Sequence, residues 1–353
     1  MMRIERVSVD PLDLPLREPF EISLGTQHAA ESVVVRVETE NGVVGVGDCN
    51  PDPPVTGETR EAALATAEAA ADLVEGESVA NYRELVAEVR NTFPGMVSAT
   101  FAVETAILDA YCRERGIPLS ELFGGAPQTV ETDLTIGICP TNEARMRAAR
   151  ATNEGFDQLK VKVGTDAERD AERVTAVAEG APDAAIAVDA NQGWTPKETE
   201  RFVDTVEEQG VSLELVEQPV PADDVRGLAA ARERLAVPVA ADESLFTPSD
   251  AVRLVRAEAA DVFNIKLGKS GLLGAADIAS VARAANVDLM VGCMLESAVG
   301  IRTSAHVVAG IGGFSHVDLD GNQLLDEDVI PLSRGPEIQV AGPGHGVDPD
   351  AVR

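Results

Sequence analysis

The chain has 353 residues, with 29 basic and 60 acidic side chains and a net charge of −31. A surface this acidic repels nucleic acid and anionic membranes and argues against both as partners. No run of eighteen apolar residues suggests a membrane-spanning helix, while 44% hydrophobic content is enough for two domains or one large barrel with an accessory domain.

The acid excess, with only five lysines among 29 basic residues, points to a protein adapted to high salt, where self-repulsion is screened. Cys49, Cys112, Cys139 and Cys293 are far apart and form no CxxC pair. They read as reduced apolar residues. Without a signal-peptide pattern at the N-terminus, a cytoplasmic protein is expected.

In chain order, the first portion reads as β then α. Arg3 to Pro15 alternates loosely, Glu31–Glu38 is a strand, and Asn41-Gly42 turns the chain into Val43–Gly47 as a hairpin. Asn50-Pro51-Asp52-Pro53-Pro54 is expected to be irregular. Helical, Ala-rich stretches follow over Glu58–Leu73, Asn81–Arg90 and Ser98–Arg115. This α+β unit ends at Gly124-Gly125, which defines a capping domain over residues 1–125.

From residue 126 short apolar strands recur, each followed by a helix-like stretch. The predicted strands are Asp133–Ile138, Gln158–Val163, Ala185–Ala190, Leu213–Gln218, Pro238–Glu243, Val262–Leu267, Val287–Cys293 and His316–Asp320. Helices are predicted over Asp166–Glu179, Lys197–Gln209, Pro248–Arg256 and Gly274–Ala285. The last polar residues of strands two to six are Lys162, Asp189, Glu217, Asp242 and Lys266, spaced by 27, 28, 25 and 24 residues. One strand–helix unit fits each gap. Eight such strands over 126–323 close into a barrel with its chemistry at their carboxyl ends. The Gly/Pro-rich segment 324–353 is expected to pack back on the capping domain.

Leu159-Lys160-Val161-Lys162-Val163 alternates with period two, so Lys160 and Lys162 share one strand face. Strands two and six of a closed barrel of eight lie opposite each other, and they end in Lys162 and Lys266. Asp189, Glu217 and Asp242 end the three strands between. Three carboxylates converging at one rim repel unless a cation sits among them. Oxygen-only donors suit Mg²⁺.

A metal on one side and two facing lysines fit proton abstraction next to a carboxylate, with return of a proton to the opposite face. A lysine base must be neutral, and Lys160 together with the metal is expected to lower the pKa of Lys162. Each acid alone reads as a helix cap; the three at consecutive strand ends do not. Lys269, in Gly-Lys-Ser-Gly, reads as structural or solvated. His28, His306, His316 and His345 read as packing or surface residues. Trp194 packs in the loop after strand three.

These residues resemble the enolase superfamily, in its muconate lactonizing enzyme-like subgroup. The matching pieces are Lys160-Val-Lys162, Val188-Asp189-Ala190-Asn191, Glu217-Gln218-Pro219, Ala241-Asp242-Glu243-Ser244 and Asn264-Ile265-Lys266, with Glu104–Gly125 similar to the helix and GG link before the barrel. The resemblance covers nearly the whole chain. It implies an α/β protein, a (β/α)7β modified TIM barrel with an α+β capping domain. It also implies Lys162 and Lys266 as the acid/base pair, Mg²⁺ on Asp189, Glu217 and Asp242, and Lys160, Asn191 and Glu243 as supporting polar residues.

Racemases, cycloisomerases and o-succinylbenzoate synthases of that subgroup share these parts. Asp318-Leu319-Asp320 separates them. Two acids two apart on strand eight would hold a cation such as a free α-ammonium, and the pair is similar to that of dipeptide epimerases. Asp320-Gly321-Asn322 is also a good turn sequence. The expectation is thus an isomerase, a homo-oligomer, that inverts the α-carbon of the C-terminal residue of a dipeptide. A cycloisomerase or synthase is the first alternative and a catalytically silent metal-binding protein the second. Thr135 and the loop Met294-Leu295-Glu296-Ser297 are expected to line the substrate site. In the capping loop Pro19–Thr26, Gly25 stands where an Ala-Glu epimerase would be expected to carry a basic residue. A dipeptide with an apolar or cationic second residue fits at least as well.

Overall fold

The computed structural model describes residues 2–332 and 334–352. The chain opens with β1 (Ile4–Ile22), β2 (Gly25–Thr39) and β3 (Val44–Cys49), an antiparallel sheet in that order. β1 runs well past the loose alternation that ends at Pro15. Its prolines are tolerated because β1 is the edge strand, where a missing N–H interrupts no inner ladder. The register shifts between Pro15 and Phe20. The capping loop is therefore ordered as the end of a hairpin, with Ile22 paired to Gly25 across a Ser23-Leu24 turn.

Residues 53–56 also depart from expectation. They form the short helix α1 (Pro53–Thr56), with Pro in the first turn, where its absent N–H would have no intrahelical partner anyway. α2 (Arg60–Val74), α3 (Tyr82–Thr92) and α4 (Val97–Arg115) follow. α4 lies directly on β3. A Cβ on Gly45 would sit 2.3 Å from the Ala106 carbonyl oxygen, and one on Gly47 would sit 2.1 Å from that of Ala102. The contact exists only because both residues lack side chains.

After β4 (Thr129–Glu131) come eight strands and seven helices in strict alternation: β5 (Leu134–Ile136), α5 (Thr141–Asn153), β6 (Gln158–Lys162), α6 (Ala167–Gly180), β7 (Ala185–Asp189), α7 (Pro196–Glu208), β8 (Leu215–Glu217) and α8 (Val225–Arg234). They continue as β9 (Val239–Ala241), α9 (Pro248–Arg256), β10 (Val262–Lys266), α10 (Leu267–Ala285), β11 (Asp288–Gly292), α11 (Ala298–Ile311) and β12 (Phe314–Val317), with β13 (Glu337–Gln339) later pairing β4.

Adjacent strands from β5 to β12 pair in parallel and in chain order. The Asp133 N–H donates to the Val317 carbonyl at 3.0 Å, joining the two ends of the sheet. This is the (β/α)7β arrangement with an antiparallel-sheet capping domain. Helix starts follow from local chemistry: Thr195 and Thr247 form capping boxes with Glu198 and Asp250, each followed by Pro.

Several strands are shorter than predicted, and two of these differences affect the site. β9 stops at Ala241 and β12 at Val317, so Asp242, Asp318 and Asp320 lie just beyond strand ends. α10 begins immediately after Lys266 and kinks at Gly271. Lys269 is therefore in a first helical turn and buried, which removes the solvated reading. Leu325, Val347 and Val352 pack with Leu12, Leu14, Val34 and Val46 of the capping sheet. Among the described residues, no helix is long and apolar enough to cross a membrane.

Candidate active site

The carboxyl ends of the barrel strands face the β1–β2 hairpin, and a cavity lies between them. Phe20, Ile22, Gln27, Asn50 and Asp52 line it from the capping side; Thr135, Lys162, Asn191, Glu243, Lys266, Met294, Asp318 and Asp320 line it from the barrel. The hairpin tip is tied down by Ser23, whose hydroxyl donates to the carbonyls of Ala190 (3.1 Å) and Asn191 (2.8 Å). Lys162 on β6 and Lys266 on β10 stand four strands apart and therefore on opposite walls.

Asp189, Glu217 and Asp242 converge beside these lysines. One oxygen from each falls within 4.8 Å of the others, and all three residues are buried. Lys162 Nζ lies 2.6 Å from Asp189 Oδ2, and Lys266 Nζ lies 2.7 Å from Asp242 Oδ2. Lys269 also binds Asp242, through both a carboxylate oxygen and the main-chain carbonyl. Asn264, two residues before Lys266 on the same face of β10, donates to Glu217 Oε1 at 2.6 Å. The Asn191 side chain bridges Asp189 and Glu243.

Lys160 is buried beneath the cavity. Its ammonium is engaged by Glu217 Oε2 (2.6 Å) and Asp318 Oδ2 (2.7 Å), and it lies 3.4 Å from the Asp189 Oδ2 that Lys162 also contacts. Asp320 accepts from the Thr135 N–H at 2.5 Å. Asp320 also precedes a 3-10 turn over Gly321–Leu324, as the turn reading of Asp320-Gly321-Asn322 expects.

The electrostatics follow from burial set against partners. Burial opposes the charge on Asp189, but Lys162 and Lys160 outweigh it and hold the carboxyl below its usual range. Lys266 and Lys269 do the same, more strongly, for Asp242. Glu217 is pushed up to about 8, chiefly by burial and then by Asp189, against Lys160. Burial and Asp242 raise Glu243 to about 7. Burial disfavours the Lys266 charge, yet Asp242 raises its pKa overall. That is opposite to what a lysine base needs.

Not every expected site residue reaches the cavity wall. Ser297 caps α11, accepting from the Val299 N–H, while its own N–H donates to Asp48. Glu296 is buried behind the rim, against Gly300. There, burial and then Asp48 raise its carboxyl to about 8. Gly25 lies on the hairpin beside Pro51 and Pro54, in a neighbouring groove. Buried Asp133 and Lys269 were not foreseen at the site; neither carries a local pattern that separates it from a solvated charge. Asn191, Gln192 and Gln218 adopt positive φ just past β7 and β8, a strain that non-glycine residues show mainly at functional sites.

An oxygen-only donor set of three buried carboxylates fits a hard divalent cation. Glu243 Oε2 and Asn191 Oδ1 beside it are buried without hydrogen-bond partners, and a cation among the carboxylates would give such polar atoms a charge to face.

Residues 4–124 match the model for the mandelate racemase/muconate lactonizing enzyme N-terminal domain, and residues 143–353 match the enolase C-terminal domain-like model. The chain is 37% identical to the L-Ala-D/L-Glu epimerase of Thermotoga maritima, over 96% of this chain and 99% of that protein. Its fold superposes with a TM-score of 0.95 on a substrate-liganded L-Ala-D/L-Glu epimerase from Bacillus subtilis, at 34% identity and 98% coverage of both chains. A dipeptide epimerase from Enterococcus faecalis, solved with Mg and L-Leu-L-Tyr, gives a TM-score of 0.90 at 34% identity, covering 97% of this chain and 99% of that one.

Proposed function

We propose that this chain, which belongs to the enolase superfamily through its mandelate racemase/muconate lactonizing enzyme N-terminal and enolase C-terminal-like domains, is a dipeptide epimerase. It inverts the α-carbon of the C-terminal residue by 1,1-proton transfer. The observation that carries the reading is the placement of Lys162 and Lys266 on opposite walls of one cavity, beside three converging carboxylates.

In this reading Asp189, Glu217 and Asp242 hold Mg²⁺. When bound, the ion supplies positive charge that offsets the negative charge developing on the substrate carboxylate. Lys162 and Lys266 pair with Asp189 and Asp242; an ion held by those carboxylates would relieve both pairs. One lysine then takes the α-hydrogen and the other delivers a proton to the far face, so the configuration inverts. Asp318 and Asp320 anchor the amino terminus. A substrate without an ammonium would leave that acidic subsite unmatched, which disfavours cycloisomerase and synthase chemistry.

For the residue being inverted, the cavity offers Phe20, Ile22, Val55 and Leu295 and, among the described residues, no arginine. This supports an apolar side chain rather than a glutamate. The net charge of −31 supports assay at high salt.

The test is incubation with Mg²⁺ and a panel of dipeptides in D₂O at high salt, following α-deuterium by mass. Uptake confined to the C-terminal residue, abolished by chelation and restored by Mg²⁺, is expected. Absence of uptake across the panel would overturn the assignment.

A further inference from the structure

We propose that Asp133 is a positioning residue for the amino-terminus subsite, acting through Asp318; the inference rests on the dipeptide reading above. Asp133 immediately precedes β5 and is 7% exposed. One carboxylate oxygen from each of Asp133, Asp318 and Asp320 lies within 4.8 Å of the others. Two of the three acids have partners of their own. Asp318 has the Lys160 ammonium at 2.7 Å and the Thr135 hydroxyl at 3.4 Å, and Asp320 has the Thr135 N–H. Asp133 forms no such ion pair, and its Oδ1 is buried without a hydrogen-bond partner.

The backbone fixes this side chain. The Asp133 N–H donates to Val317, the residue before Asp318, and the Leu319 N–H donates to the Thr132 hydroxyl at 2.7 Å. The carboxyl group is thereby held against the segment that carries both anchoring acids. Asp133 does not line the substrate cavity; it borders a separate opening near the strand starts, with Gln158, Glu214 and His316.

Three ionised carboxylates this close, sharing one ammonium, would repel one another. The cluster is satisfied when one carboxyl keeps its proton and donates it to a neighbour. Asp133 is the member with neither an ion pair nor a donating N–H, and its carboxyl lies close to that of Asp318. Burial, then the charges of Asp318 and Asp320, push its carboxyl well above the usual range. A neutral Asp133 donates to Asp318, occupies one lone pair and leaves the others directed at Lys160 and at an ammonium entering from the cavity. It thus sets the orientation of an anchor that it does not itself share with the substrate.

The test uses the Mg²⁺-loaded, full-length protein and a dipeptide that the wild type epimerises. Asp133→Ala is expected to raise KM about tenfold or more, the effect of losing a hydrogen bond to a charged group, with kcat within about threefold. Asp133→Asn keeps the shape and a donor and is expected to recover most of the lost affinity. Mg²⁺ affinity, titrated directly, should be unchanged in both, which a general collapse of the site would not allow. If Asp133→Ala does not fold, Asp133→Leu fills the space without donating and takes its place. An unmoved KM in the non-donating variant, or an Asp133→Asn as weak as that variant, overturns the proposal. Either result with normal wild-type turnover refutes only this inference, whereas a wild type inert on all dipeptides defeats the underlying reading as well.

Discussion

Lys160 Nζ lies 2.7 Å from Asp318 Oδ2 in the barrel interior, both residues buried. The same nitrogen lies 2.6 Å from Glu217 Oε2. One side chain therefore joins the proposed amine subsite to the proposed metal site. Lys160→Met removes the shared cation and leaves two buried carboxylates uncompensated, a loss on the order of 3–5 kcal/mol for a buried pair. Because Glu217 and Asp318 also lose the group that orients them, the expected outcome is a combined defect: Mg²⁺ affinity and dipeptide KM should each worsen by about 10- to 100-fold. Calorimetric titration of Mg²⁺ beside steady-state kinetics checks this; a defect confined to one ligand would contradict the bridge.

The two wall lysines predict a stereochemical signature. Lys162→Ala and Lys266→Ala should each lower epimerisation by about a thousandfold, within the range general acid–base groups supply. Each variant should still exchange the α-hydrogen of one epimer with solvent, and the epimer should differ between the two. Chiral chromatography with deuterium counting reads this directly. Exchange of the same epimer by both variants would place the lysines on one face.

Asp48 on β3 and Glu296 before α11 are both buried, and the Ser297 N–H donates to Asp48. Burial, countered by hydrogen bonds from Ser297, lifts Asp48 to about 7, and Glu296 reaches about 8. Unfolded, both titrate near 4. Between roughly pH 4 and pH 8 the folded state binds more protons than the unfolded one, so stability falls as pH rises, by on the order of a few kcal/mol. In the metal-free protein, the unfolding midpoint should drop from pH 5 to pH 8. Glu296→Gln should make that dependence shallower, with Asp48 and the raised carboxyls Glu217 and Glu243 supplying the remainder. Denaturant titrations at several pH values measure it.

Gly47→Ala should disrupt the capping domain, since its Cβ would meet the Ala102 carbonyl oxygen at 2.1 Å. Backbone cannot swing aside as a side chain can, and overpacking of this kind costs about 1–3 kcal/mol. Urea unfolding should show a lower midpoint with α-helical content retained at zero urea; an unchanged midpoint would mean that α4 does not hold its place against β3.

The barrel and its acids were legible in the sequence because each chemical residue ends a short apolar strand and the strands recur at near-constant spacing. Period two placed Lys160 and Lys162 on one face, as the structure has them. The long hairpin was not legible: Pro11, Pro15 and Pro19 resemble strand breakers when it is unknown that β1 is an edge. Pro53 hid a helical turn for the same reason. Glu296 and Asp133 belong to a different blind spot. In a chain with 60 acids, a buried carboxyl looks like a solvated one, and only the packing of distant segments distinguishes them.

The hairpin tip is held to the barrel through main-chain atoms: Ser23 donates to the carbonyls of Ala190 and Asn191, and the Ile138 N–H donates to the Glu21 carbonyl. In the proposed reading, the loop that shapes the cavity mouth and the lysines that move the proton are held by different contacts. Residues 19–27 can be rewritten to admit a different visitor while the amines and acids underneath keep their places, much as a lock is rekeyed without replacing its bolt.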